Sequence, residues 1–73
     1  MFQKYRRTNI AEMRPYVDGE DMTYVSVSQV DSENGSPKVG DMIARNPANH
    51  ADQWLVAADY FKDNFERIEE AAA

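Results

Sequence analysis

The sequence predicts a small α+β domain: a small antiparallel sheet of three or four strands with one C-terminal helix packed on one face. Three observations carry that prediction. Residues 24–28, YVSVS, alternate valine with polar side chains at the period of a strand. Two further apolar runs, Met42 with Ile43 and Trp54 with Leu55 and Val56, flank a polar turn, NPANHAD. Phe61, Phe65 and Ile68 then recur at i, i+4 and i+7, one stripe of an amphipathic helix. A partly closed, SH3-like barrel plugged at one end by the helix is the neighbouring alternative.

Taken in order, residues 1–7, MFQKYRR, read as a basic N-terminal arm. Residues 8–17 read as extended rather than helical, because Pro15 pushes Arg14 away from helical geometry and suits an edge strand. Ala11 and Met13 would share one face of that strand. Residues 18–21, DGED, form a turn. The 24–28 strand follows, and then residues 31–41, DSENGSPKVGD, break all periodicity into a wide loop. Residues 41–45 are expected as a third strand and 53–56 as a fourth. The helix is expected to run from about residue 59 to residue 69, leaving 70–73 as a frayed tail. A single domain thus covers 8–69, with a core drawn from Met13, Val25, Val27, Met42, Ala44, Trp54, Val56, Phe61, Phe65 and Ile68.

Seventy-three residues leave room for one core, near the lower limit for a fold without staples. With no cysteine, neither a disulfide framework nor a thiolate metal site can form. No apolar run approaches a membrane span, and no apolar segment follows the basic start as in a secretory signal. A soluble intracellular domain, with no membrane contact, is the expectation. The net charge of −5 is unevenly laid out. Residues 1–14 carry Lys4, Arg6, Arg7 and Arg14 against Glu12, whereas residues 15–35 carry five acids and no base. Residues 47–73 carry six acids against Lys62 and Arg67. Most of the chain would therefore repel nucleic acid, whose binding draws on a basic face.

No catalytic set emerges. His50 is the only histidine, so no histidine triad or multi-histidine metal site can be built in one chain, and it reads as a turn residue. The serines lack a nucleophile motif, and Gly19, Gly35 and Gly40 form no phosphate-cradling pattern. Asp18, Glu20 and Asp21 crowd one turn but lack the following bidentate glutamate of a calcium loop. No catalytic, cofactor or metal site is assigned, and the expectation is a protein that is not an enzyme.

Two binding surfaces remain. Asp59, Asp63, Glu66 and Glu70 recur at three- or four-residue spacing along the expected helix, beside Tyr60, and with Asp18, Glu20 and Asp21 they could meet a basic surface on another protein. An ordinary solvated acidic face is the plain alternative. The second surface is the set Lys4, Tyr5, Arg6, Arg7, Arg14 and Arg45, where guanidinium and ring could pair with phosphate and stack on bases. A solubilising terminus is its plain alternative.

The runs KYRRTNIAEMRPYVDGEDM, VSVS and GDMIARNPANHADQWLVAADYFKDNFE together resemble small accessory proteins of tailed bacteriophages and prophages. That resemblance covers nearly the whole chain and brings no functional residues with it. It implies an accessory phage product acting in the cytoplasm of a host bacterium. The expected function is binding and inhibiting a host protein or defence complex through the acidic, aromatic surface. A nucleic-acid- or nucleotide-binding accessory using the arm, or a structural virion accessory, stands as the alternative.

Overall fold

The computed structural model describes residues 1–6 and 10–68. The element order is β1 (Glu12–Pro15), β2 (Val25–Ser26), α1 (Gln29–Glu33), β3 (Met42–Asn46), β4 (Asn49–Val56) and α2 (Ala58–Asn64). Four strands form one open sheet in the order β1-β3-β4-β2. The α+β class is as the sequence predicts, and Pro15 sits on an edge strand as its missing N–H requires. The sheet is mixed rather than wholly antiparallel. β1 and β4 flank β3 antiparallel, while β2 joins β4 parallel through Val25 and Ser26 alone.

Burial is concentrated where β3 and β4 run side by side. Ile43 stands across from Leu55, and Ala44 across from Trp54. Neighbours on one strand point to opposite faces, so burial of Ile43 with Ala44 and of Leu55 with Val56 means that both faces are covered here. The expected core held Ala44 and Val56 but omitted Ile43 and Leu55. Met13, Val25, Val27, Met42, Trp54, Phe61 and Phe65 are half-buried, and Ile68 is 62% exposed.

Four local expectations are corrected. The strand expected over 24–28 shrinks to Val25–Ser26, because Ser28 turns aside to cap α1, its hydroxyl accepting from Asp31 N at 3.1 Å. The wide loop expected from residue 31 accordingly begins inside α1. The NPANHAD turn has only Pro47 and Ala48 at its tip. Asn46 belongs to β3 and Asn49–Asp52 to β4, where a register shift sets Arg45 across from Gln53 but Asn46 across from Asn49, so that His50, Ala51 and Asp52 form a bulge. Finally, α2 ends at Asn64, with Phe65 extended (φ −129°, ψ 147°), so Ile68 and Glu66 lie beyond the helix. Glu69 and the expected tail lie outside the described residues. Neither helix packs on a strand as extensively as the strands pair with one another, so α2 is tethered to the sheet rather than laid across it.

The tether is chemical. Asp41, fully buried just before β3, accepts the Ser36 hydroxyl at 2.6 Å and Lys38 N at 3.0 Å through Oδ2. Its Oδ1 accepts Ala58 N at 3.0 Å. Ala57 occupies the N-cap of α2 and has no side-chain acceptor, so Asp41 supplies the cap from across the fold. The Asp41 main chain adds a bond from Tyr16 N at 2.9 Å, joining the end of β1 to the same point. Gly40, with φ +105°, bends the chain so that the carboxylate turns inward. Burial alone would raise the Asp41 pKa, but the bonds from Ser36, Ala58 and Lys38 prevail and hold it below the ordinary carboxylate value.

Candidate protein-binding surface

The expected basic set is divided by the fold. Arg14 donates to both oxygens of Glu20, at 2.9 and 2.7 Å, a two-pronged pair closed further by Val17 N on Oε1 at 2.9 Å. The Arg14 bond, then the Val17 bond, lower the Glu20 pKa to about 2. Arg45 Nε donates to Glu12 Oε1 at 2.8 Å, across the β1–β3 register in which the two residues face each other. Lys38 Nζ lies 3.9 Å from Asp41. Each of the three central cations thus has a carboxylate of its own. Arg14 and Arg45 line a trough of about 440 Å³ with Glu12, Met13, Ile43 and Gln53, but its charges are already compensated. Lys4, Tyr5 and Arg6 remain in the exposed arm, and Arg7 lies outside the described residues.

The expected acidic set is divided too. Glu20 is consumed by Arg14, and Asp21 accepts from Thr23 N at 2.9 Å and from the Thr23 hydroxyl, which fixes the turn and lowers the Asp21 pKa. Asp18 is exposed. On α2, Asp59 and Asp63 stand four residues apart and exposed, one turn from each other. Glu66 is exposed just past the helix end, so the four-member ridge is shorter than the spacing predicts, and Glu70 lies outside the described residues. Among the described residues, no cation comes within ion-pair distance of Asp59, Asp63 or Glu66.

Aromatic rings stand with these acids. The Phe65 ring packs against Phe61, centroids 6.0 Å apart and nearly parallel, and against Tyr60 at 5.9 Å, tilted by 59°. Tyr60 is 52% exposed. The Phe65 ring thus rests against two rings of the helix although Phe65 itself is extended beyond the helix end.

His50 is exposed, its ring nitrogen Nε2 3.4 Å from Glu12 Oε1 and its carbonyl accepting from Gln53 Nε2 at 3.0 Å. It belongs to the bulge, beside the Glu12–Arg45 pair. Among the described residues, no group of three histidine, aspartate or glutamate side chains is placed to hold a metal ion. None of their helices is long and apolar enough to cross a membrane.

Asp41 is the residue sequence reasoning passed over, as the first position of a strand. The signal was indirect: an alanine at the start of a helix leaves the cap to be found elsewhere. Comparison of the chain with family models, with curated proteins and with solved structures returns no match.

Proposed function

We propose that this chain is a non-enzymatic accessory protein of phage type that binds a basic surface on a host bacterial protein and inhibits it. The observation that carries the reading is the sorting of charge. Arg14, Lys38 and Arg45 lie beside carboxylates, while among the described residues Asp59, Asp63 and Glu66 have no cation within ion-pair distance, although Lys62 shares the helix that carries Asp59, Asp63 and the half-exposed Tyr60. A cationic partner would gain steering from the charges and apolar contact from the ring. The phage-like sequence style and the small size agree with a protein that works by occupying a host surface.

Affinity capture from a bacterial lysate tests this, comparing the parent with the Asp59→Asn, Asp63→Asn, Glu66→Gln variant. The parent should retain a basic host protein that the folded variant loses. Equal retention by both would contradict the assignment of the face. The nucleic-acid reading is disfavoured by the pairing of Arg14 and Arg45, which leaves that role to the arm alone.

A further inference from the structure

Asn34 and Gly35 are the one place in the chain where an asparagine precedes a glycine. The side-chain carbonyl carbon of an asparagine is within reach of the next residue's backbone nitrogen, and attack by that nitrogen closes a five-membered ring. A side chain on the following residue hinders the attack, and glycine has none. Asn34 and Gly35 are both exposed. Among the described residues nothing lies within 4 Å of where a Cβ on Gly35 would stand, so the fold leaves room for the ring. The other asparagines lack this setting. Asn46 precedes Pro47, whose nitrogen carries no hydrogen, and Asn9, Asn49 and Asn64 precede bulkier residues. We propose that Asn34 is a self-modification site, converting without an enzyme to aspartate and isoaspartate at a pace set by the opening of α1.

The Gly35 nitrogen gives its proton to hydroxide and bonds to Cγ of Asn34. The bond from Cγ to the side-chain nitrogen breaks, and that nitrogen leaves as ammonia with a proton from solvent. Water then opens the cyclic imide. Addition at Cγ leaves aspartate, and addition at the main-chain carbonyl leaves isoaspartate, with the chain running through Cγ. Nothing is oxidised or reduced, and water is the only co-reactant. The folded turn withholds the nucleophile, because Gly35 N donates to Ser32 O at 3.1 Å. Asn34 is the C-cap of α1, whose five residues are tied at the other end by the Ser28 cap. A helix so short opens as a unit, and opening frees the Gly35 nitrogen. The product then acts on the fold. Isoaspartate lengthens the main chain just ahead of Ser36, whose N–H donates to Asp31 O at 2.9 Å and whose hydroxyl donates to Asp41 at 2.6 Å. The new carboxylate also stands at the C-terminal end of α1, where the helix dipole disfavours negative charge. Conversion therefore loosens the anchorage of Asp41.

Ageing the full chain at mildly alkaline pH tests the inference, with tandem mass spectrometry of a peptide spanning residue 34. The parent should gain there the mass of an amide turned to an acid, and an isoaspartate-specific methyltransferase should label part of the product. Ser28→Ala removes the cap of α1 and should speed conversion about fivefold, the change that loss of one cap makes in the open population. Ser28 is exposed, and circular dichroism verifies that the variant folds. The parent unfolded in urea should convert faster still. Asn34→Gln, which cannot close the five-membered ring, should keep its mass at that position. Aged parent should melt below fresh parent, whereas aged Asn34→Gln should melt with its fresh counterpart. An unmodified residue 34 in both folded and unfolded chains overturns the site. A folded parent that converts as fast as the unfolded one, or a Ser28→Ala protein no faster than the parent, overturns control by α1. Converted protein that melts like the parent overturns the effect on Asp41.

Discussion

Replacing Asp41 by alanine should come close to unfolding the protein. The side chain is fully buried and serves three donors: the Ser36 hydroxyl and Lys38 N through one oxygen, and Ala58 N through the other. Its removal orphans two backbone N–H groups and a hydroxyl in a part-buried pocket. Each orphaned donor costs about 1–3 kcal/mol, and breaking a buried charged network typically costs about 3–5 kcal/mol. A domain of 73 residues has about 4–11 kcal/mol in total, so the loss is a large share of it. For this size the corresponding fall in Tm is roughly 15–35 °C. Asp41→Asn is more selective. Its amide oxygen can keep Ser36 and Lys38 only if its NH₂ turns towards Ala58 N, where a donor meets a donor. It should cost about 1.5–3 kcal/mol, concentrated in α2. Urea denaturation followed by circular dichroism reads the first effect, and amide exchange of residues 58–61 reads the second. An Asp41→Ala protein within about 0.5 kcal/mol of the parent, which is the ordinary scatter of surface substitutions, would refute the tether.

Three further predictions follow from the same contacts. Ala57→Ser places a hydroxyl at an N-cap of extended geometry and should stabilise by about 0.5–1 kcal/mol, and by more in the Asp41→Asn background, as a double-mutant cycle in urea would measure. Stability should fall on acidification from pH 4.5 towards about 2, because the Glu20 and Asp41 pKa values are depressed in the fold. Their contribution is complete above the unfolded carboxylate pKa and is lost as pH drops through the folded one. Glu20→Gln should flatten part of that slope in a pH series of thermal melts. His50→Ala should change stability by less than about 0.5 kcal/mol, since the ring is exposed and its contact with Glu12 lies at the surface, and a thermal melt checks it.

The fold was legible where side-chain pattern and backbone need agreed. Met42 and Ile43, and Trp54 with Leu55 and Val56, announced the two central strands, and Pro15 announced an edge. Pattern failed where other physics decided. Asn49 to Asp52 are polar and turn-like, yet they extend β4 because the hairpin closes at Pro47 and Ala48 and absorbs the excess as a bulge. The helix α1 is five residues long, too short for periodicity to show, although Ser28 followed three residues on by Asp31 is a legible cap. Parallel pairing of β2 with β4 depends on contacts between residues far apart, which local pattern does not encode. Phe61, Phe65 and Ile68 were read as one helical stripe; the Phe65 ring does pack on Phe61, but the helix that was to carry the stripe on to Ile68 stops one residue short of Phe65.

The candidate surface was legible as charge and not as pairing. Sequence spacing placed Asp59 and Asp63 together, and it grouped Arg14 and Arg45 with the arm. Only the fold sets Glu20 beside Arg14 and Glu12 beside Arg45, which removes two cations from one candidate surface and one acid from the other. What remains is Asp59 and Asp63 beside Tyr60 and Lys62 on α2, Glu66 and Arg67 just beyond it, and Lys4 and Arg6 in the arm.

The measurement that bears most directly on the function is the association rate of the parent and of the Asp59→Asn, Asp63→Asn, Glu66→Gln variant with the captured host protein, at low salt and at about 0.5 M. Steering by unpaired charge acts on the rate of encounter, so the variant should associate at least about tenfold more slowly at low salt and match the parent at high salt. Equal association rates at low salt, with the variant folded, would contradict the account.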